Sequence, residues 1–295
     1  MPTTPKKHRI NRGAELKLRE ATRKPYPTDL ADQEWKLVAP FFCKTRKKKG
    51  REQAVSFREI LNALFYLNRS GCSWRMLPHD LPPFDYVYPF FNTWSKNGLL
   101  ERVNTALRKE SRMAEGRDPE PSVGIIDSQS VKATEVPGVR GYDAGKKVKG
   151  VKRHIVVDTL GFLLAVVVHA ANVQDPEGAL LVLTPMWSFP RLKKIFCDGG
   201  YTVHGSFLSD WLLGFKGWAL SVARRITDVG FQVIPWRWKV ERTFAWLGRH
   251  RRLSKHYEQL SCTAEGMIYL ASIRIMFRRL TRIDDDFVDG VYCPS

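Results

Sequence analysis

Three carboxylic acids stand at positions that suit metal binding better than core packing. Asp127 ends the apolar run 123–126, and Asp198 ends the run 195–197. Glu241 follows in a segment rich in arginine. Acids at the ends of buried strands are poor core residues but good ligands for hard cations. Because the chain also carries a formal net charge of +18, these acids predict metal-assisted phosphodiester chemistry on DNA.

This chemistry is expected to use two divalent ions. Cleavage needs a nucleophilic oxygen, a neutralised phosphate and a stabilised leaving oxygen, and two ions about 3.5–4 Å apart supply all three. We expect Asp127 to bind both ions, Asp198 to bind one and Glu241 to bind the other. Taken singly, each acid has an ordinary alternative as a cap, a turn residue or an acid in the first turn of a helix. Asp143 and Asp175 are further acids that could support the site.

Basic residues follow Glu241 along a helix predicted at about 237–252. Positions 249 and 252 share the helical face of Glu241, so arginines there are expected to hold a phosphate beside the metal ions. The candidate DNA contacts of this segment are Arg242, Arg249, Arg252 and Lys255. The alternative is a solvated basic face.

A second basic segment, 142–154, is rich in glycine and is predicted to form a bendable hairpin near Asp127. We expect it to clamp the DNA backbone, with solubility alone as the alternative. Its candidate DNA contacts are Lys146, Lys149, Lys152, Arg153 and His154.

Composition restricts the class of protein. At 43% hydrophobic residues the 295-residue chain can bury a core, and a pI of about 9.8 favours a polyanionic partner over a merely basic protein. The apolar stretch 162–168 is too short to span a membrane, and the N-terminus has no secretory signal core. Five scattered cysteines without a CxxC pair support neither a zinc site nor a disulfide framework. These features predict a cytoplasmic protein in a reducing compartment, with no membrane partner.

The first part of the chain is predicted to be helical. Residues 1–25 are basic and aperiodic and are expected to form a flexible arm, which either enters DNA grooves or is a solvated tail. Residues 26–115 form a helical block in which Ser56 and Glu59 make a capping box for one helix. The predicted helices lie at 30–39, 57–68 and 87–96.

A glycine-containing turn joins the last two of these helices, which favours a helix-turn-helix-like DNA-binding domain, with an ordinary helical bundle as the alternative. Pro89 is expected to kink the last helix or to delay its start. The polar segment 102–120 ends at 118–121 and is the expected domain boundary.

From residue 122 the pattern changes to short β-branched strands. Strands are predicted at 123–128, 151–158, 161–170, 193–197 and 217–222, and helices at 176–187, 203–213, 237–252 and 263–280. This order predicts an α/β fold, a ribonuclease H-like mixed five-stranded sheet with flanking helices over 120–280, preceded by the all-α domain. The first strand then lies beside the fourth, so Asp127 and Asp198 should meet. Residues 281–295 look like an acidic C-terminal tail.

Longer motifs carry a family resemblance. In the second part they are residues 126–132, 140–150, 152–161, 198–201 and 240–247, and in the first part residues 26–30, 58–66 and 71–75. These motifs resemble the DDE transposases of bacterial insertion sequences, specifically insertion-sequence family five within the broader IS-four-like group. The resemblance covers roughly residues 26–280.

The resemblance implies a catalytic triad of Asp127, Asp198 and Glu241 that binds two Mg²⁺ ions, with Mn²⁺ as a substitute. It also implies cleavage at terminal inverted repeats and transfer of the freed 3′-hydroxyl into target DNA, by a homodimer on DNA in the bacterial nucleoid. Arg237 matches an arginine of the broader group and is a further candidate DNA contact, while Ile234 stands where that group has tyrosine. The alternatives are a DNA-binding regulator with a silent nuclease fold and another ribonuclease H-like nuclease without strand transfer.

Overall fold

The computed structural model of the chain describes residues 12–43, 53–186, 189–202, 207–223 and 236–281. The first part of the predicted arm, the acidic tail after residue 281 and Ile234 lie outside these residues. Within the described ranges, no helix has both the length and the apolar character needed to cross a membrane.

Helices make up the N-terminal part of the described chain. They are α1 (Arg12–Thr22), α2 (Asp32–Cys43), α3 (Phe57–Ser70), α4 (Phe84–Lys96) and α5 (Leu99–Ala114). At the start of α3 the Glu59 backbone N–H donates to Ser56 Oγ at 3.1 Å, as the capping box predicts. The Glu59 side chain does not complete the box, because it accepts from Arg23 Nη2 at 2.7 Å. Helix α3 ends at Gly71, whose φ of +72° favours glycine.

The structure corrects the prediction of a flexible arm for the part of it that is described. Residues 12–22 form helix α1, which buries Leu16 and pairs Arg12 with Asp85 of α4 at 2.7 Å. Helix α4 also begins at Phe84, before the predicted start, because Pro89 does not prevent the first turn from closing.

Helix α5 corrects the prediction that residues 102–114 belong to a polar boundary segment. Its buried face combines apolar residues such as Val103 and Leu107 with the charged Arg112. Arg112 Nη1 lies 2.5 Å from Asp158 Oδ2, and Asp158 is fully buried. The composition of 102–114 looks polar because a paired arginine takes one inner position, although Val103 and Leu107 keep the spacing of a helix.

The second part of the described chain contains one mixed sheet. Its elements are β1 (Val123–Lys132), β2 (Gly141–Asp143), β3 (Val148–Val157), β4 (Leu163–Ala170), α6 (Asp175–Leu183), β5 (Lys194–Cys197), α7 (Phe207–Trp211), β6 (Ala219–Val222), α8 (Arg237–Gly248) and α9 (Ser261–Thr281). The strands follow the order β4–β3–β1–β5–β6, with the short β2 also paired to β3. Strand β1 is antiparallel to β3 and parallel to β5, which confirms the predicted neighbours and the ribonuclease H-like sheet.

Helices cover both faces of this sheet. One buried cluster joins Ile155 of β3 to Phe277 of α9 and to the N-terminal helices. The other cluster lies under α6 and α7 and includes Ile126 and Leu208. Because both faces of β1 and β3 are covered, the carboxyl ends of β1 and β5 are the natural place for polar side chains to reach solvent.

Candidate active site

The carboxyl ends of β1 and β5 bring two of the predicted metal ligands to one cleft. The parallel register pairs Ile125 with Phe196, and Asp127 and Asp198 each follow two residues later. Both aspartates line a cleft that Arg237 of α8 closes on one side. The convergence therefore follows from the pairing of two strands that lie far apart in the chain.

The carboxyl of Asp127 lies in surroundings that disfavour its charge. Burial raises its pKa to about 6, and the nearby charge of Asp198 adds to this effect. The Ser128 backbone N–H donates to Asp127 Oδ1 at 2.7 Å and opposes the rise, as do Arg237 and Lys146. A buried carboxyl whose ionisation a neighbouring carboxylate disfavours is well placed to share a cation with that neighbour.

The side chain of Arg237 separates Glu241 from the two aspartates. It lies one helical turn after Arg237 on α8, and Arg237 Nε is 2.9 Å from Glu241 Oε1. Arg237 Nη2 is also 4.0 Å from Asp198 Oδ2. Arg237 therefore lies between the two acids. Across the described ranges, no three acidic, histidine or cysteine side chains are grouped closely enough to hold one ion.

The donor chemistry of the cleft nevertheless fits a hard divalent cation. Asp127 and Asp198 supply carboxylate oxygens, and the Gly200 backbone N–H donates to Asp198 Oδ1 at 2.9 Å, which orients that carboxyl. The hydroxyl of Tyr201 is buried beside these acids and has no hydrogen bond of ordinary geometry within the described residues. A buried hydroxyl without a partner next to two carboxylates indicates that the cleft accommodates a further polar group.

Asp175, the first residue of α6, lies at the same edge of the sheet. Its Oδ1 accepts from Ser128 Oγ at 2.9 Å and from Lys152 Nζ at 3.1 Å. Burial alone would raise the pKa of Asp175, but hydrogen bonds and the charge of Lys152 hold it well below its usual range. Asp175 therefore stays ionised at neutral pH. Asp143, the other acid named from the sequence, lies 3.7 Å from the Nζ of the same lysine.

A pair of histidines stands behind Asp175. His154 Nδ1 lies 2.8 Å from His169 Nε2, and His169 Nδ1 donates to the Ala170 carbonyl at 2.9 Å. Burial lowers the pKa of His154 to about 4 and also lowers that of His169, so both are neutral at pH 7. Helix α6 passes over the pair at Gly178, where a Cβ would lie only 2.2 Å from His154 Cε1. The sequence does not single out His169, because a lone histidine near the end of an apolar strand has no ligand spacing around it, and Tyr201 appears only as the last residue of the motif 198–201.

Comparison with known proteins gives the family. Residues 118–276, more than half of the chain, match the family described as "Transposase DDE domain". The chain belongs to the DDE transposases. Residues 30–104 match a second family, described as "Putative transposase of IS4/5 family".

Two curated relatives are similar to this DDE transposase. A "Putative transposase for insertion sequence element IS402" from Burkholderia cepacia is 30% identical over 46% of this chain and 66% of the relative. An "Uncharacterized protein y4sN" from Sinorhizobium fredii is 30% identical over 28% of this chain and 65% of the relative. The chain thus spans slightly less than two thirds of the length of each relative.

Four of the predicted DNA contacts of the transposase are corrected by their burial. Lys152, Arg153 and His154 lie on the inner part of β3, and Arg252 lies in a short turn after α8. All four are at most 6% exposed. Arg153 donates to the Leu253 carbonyl at 2.8 Å, and Arg252 Nε donates to Glu258 Oε1 at 2.8 Å. Both guanidinium groups therefore have partners within the protein. They cannot reach DNA while these contacts persist.

The prediction of one helix over 237–252 is also wrong, because α8 ends at Gly248 and is followed by the turn Arg251–Leu253. Arg252 therefore does not share the helical face of Glu241. Arg242 is held between the rings of Trp238 and Trp246, 4.7 and 4.4 Å from its guanidinium, and its Nη2 donates to the Leu160 carbonyl. This contact ties α8 to the turn before β4.

The other predicted DNA contacts of the transposase are accessible to solvent and stay predictions. Lys146, Lys149, Arg249 and Lys255 are exposed. Lys146 Nζ also lies 3.1 Å from the Ser128 carbonyl, beside the cleft. Arg237, partly exposed, is the cation nearest to the aspartates.

Proposed function

We propose that this protein is an insertion-sequence transposase that binds terminal inverted repeats and cleaves phosphodiester bonds at the element ends. It then transfers the freed 3′-hydroxyl into target DNA. The observation that supports this most is the convergence of Asp127 and Asp198 at the ends of two parallel strands, where the pKa of Asp127 is raised to about 6. A DDE domain that brings two of its acids into one cleft is suited to chemistry rather than to binding alone.

We assign the metal ligands to Asp127, Asp198 and Glu241. Two Mg²⁺ ions, or Mn²⁺ in their place, would supply an activated hydroxyl group and charge neutralisation at the scissile phosphate. Asp127 would contribute to the binding of both ions, because burial and the charge of Asp198 favour a cation beside its carboxyl. Glu241 is free to join the aspartates when Arg237 exchanges its carboxylate partner for a DNA phosphate, since a guanidinium binds both oxyanions in the same forked geometry.

The exposed cations around the cleft fit a DNA backbone that crosses it. Lys146 and Lys149 follow one edge of the cleft and Arg249 and Lys255 lie beyond α8. The helical region 26–115 is proposed as the DNA-binding domain, and 120–280 as the catalytic domain. A homodimer on DNA follows from the need to join two element ends.

The test is nicking and joining of DNA that carries the element's own inverted repeats, with Mg²⁺ or Mn²⁺. Wild type is compared with Asp198→Ala and with Asp118→Asn, an exposed acid paired with Arg191 outside the cleft. We expect metal-dependent, end-specific cutting and joining in wild type and Asp118→Asn, and binding without cutting in Asp198→Ala. Binding without cutting in all three proteins would favour a regulator, and cutting without joining would favour another nuclease.

A further inference from the structure

Asp175 presents one oxygen to the protein and the other to the cleft. Its Oδ1 accepts from Ser128 Oγ at 2.9 Å and from Lys152 Nζ at 3.1 Å, and lies 3.5 Å from His154 Nε2. Its side chain is 26% exposed, so the carboxyl is not closed off from solvent. Lys152 is buried and has Asp143 as its other carboxylate neighbour. These contacts orient the carboxyl and leave Oδ2 available.

The available oxygen lies close to Asp198. A Cβ on Gly200 would lie 3.1 Å from Asp198 Oδ1 and 3.6 Å from Asp175 Oδ2. Both oxygens therefore border the same small space, which is open because residue 200 has no side chain. Carboxylate oxygens that face one gap are favoured there when a cation lies between or beside them.

One buried polar atom beside Asp175 lacks a hydrogen bond of ordinary geometry within the described part of the chain. It is the hydroxyl of Tyr201, which is 1% exposed and lies in the field of Asp127, Asp175 and Asp198. His154 Nε2 is also buried, but it faces Asp175 Oδ1 at 3.5 Å and so belongs to the contacts that hold this carboxyl. A hydrated cation would supply a partner for the Tyr201 hydroxyl.

We propose that Asp175 is a fourth carboxylate of the metal site, facing with Oδ2 the ion that Asp198 binds. Ser128, Lys152 and the His154–His169 pair are positioning residues that hold this carboxylate. The inference rests on the proposed function, because it adds one ligand to the site formed by Asp127, Asp198 and Glu241. It also explains why a buried lysine and two neutral histidines stand behind a catalytic cleft.

The test measures Mn²⁺ binding to the full-length protein by electron paramagnetic resonance, in which free Mn²⁺ gives the signal. Asp175→Asn is compared with wild type, with Asp198→Asn and with Asp29→Asn. Asp29 is a matched control, since it is a partly buried acid that pairs with Arg23 at 2.6 Å in the helical region. We expect Asp175→Asn to weaken Mn²⁺ binding about tenfold or more, Asp198→Asn to do at least the same, and Asp29→Asn to match wild type.

The outcomes separate the two proposals. If Asp198→Asn weakens binding but Asp175→Asn binds as wild type does, the fourth carboxylate is refuted and the transposase site stands. If neither variant changes the affinity, the metal site itself is refuted. Circular dichroism of each variant verifies the fold, and if Asp175→Asn does not fold, Asp175→Glu and Asp29→Glu replace the asparagine variants. An unchanged affinity in Asp175→Glu, whose longer side chain displaces the oxygen, would then overturn the inference.

Discussion

Replacement of Asp127 by asparagine should stabilise the protein while it removes cleavage. Burial and the charge of Asp198 raise the pKa of Asp127 from 3.8 to about 6. By linkage, this difference corresponds to a penalty of roughly 3 kcal/mol on the ionised carboxylate in the folded protein. Asparagine has a similar shape and no charge, although it accepts the Ser128 hydrogen bond less strongly. We therefore expect the free energy of unfolding at pH 7.5 to rise by about 1–3 kcal/mol.

The stability gained by Asp127→Asn should increase as the pH rises. Because the pKa of Asp127 is higher in the folded than in the unfolded protein, the folded state binds this proton more tightly. Below about pH 4 the carboxyl is protonated in both states and carries no penalty, and the penalty grows as the pH rises to about 6. The difference between Asp127→Asn and wild type should therefore be about half its full value at pH 5 and complete above pH 6.

Urea denaturation in EDTA at pH 5, 6 and 7.5 measures this difference. The variant must be compared with wild type because other groups titrate in the same pH range. Two of them are His154 and Glu265, and burial raises the pKa of Glu265 to about 7. Their contributions cancel in the difference. The exposed Asp118→Asn serves as the control and should show no pH-dependent gain. The reasoning is refuted if Asp127→Asn is less stable than wild type at pH 7.5, or if its effect is the same at pH 5 and pH 7.5.

Three further results are expected. Metal-dependent cleavage should fall about tenfold for each pH unit below 6, because a metal ligand must be deprotonated and Asp127 is the group that protonates there; a pH–rate profile that is flat from 5 to 7 would contradict this. Arg112→Met should lower the free energy of unfolding by about 3–5 kcal/mol in urea titrations, since it leaves Asp158 buried and unpaired; a neutral effect would show that the ion pair is dispensable. Arg249→Ala should reduce the slope of log DNA affinity against log salt concentration by about 0.9, measured by fluorescence anisotropy with labelled DNA. The control is Arg252→Ala at a buried position, which should leave the slope unchanged and lower the free energy of unfolding instead.

The arrangement of the cleft links stability to chemistry. Burial and the charge of Asp198 disfavour the ionised carboxylate of Asp127, and this penalty weakens the fold at neutral pH. A divalent cation bound by Asp127 and Asp198 would relieve this penalty, which would then contribute to metal affinity. A site built in this way is expected to be less stable than its inactive variants.

Several features could be predicted because local physics decides them. The apolar runs before Asp127 and Asp198 indicate buried strands whatever surrounds them, and the order of elements then makes these strands parallel neighbours. Ser56 caps α3 because a serine before an amphipathic run satisfies an otherwise free backbone N–H. The convergence of two aspartates and the helical character of residues 57–68 follow from such rules.

Other features depend on contacts between distant parts of the chain. Lys152, Arg153 and His154 look like an exposed basic run, and only the covering of both faces of β3 turns them into buried partners of Asp175, the Leu253 carbonyl and His169. The sequence by itself determined which strands carry the acids, since hydropathy and turn signals are local. Tertiary structure alone decided which cations are exposed and which are buried behind the cleft, because the environment of a charge is set by elements that the chain brings together only on folding.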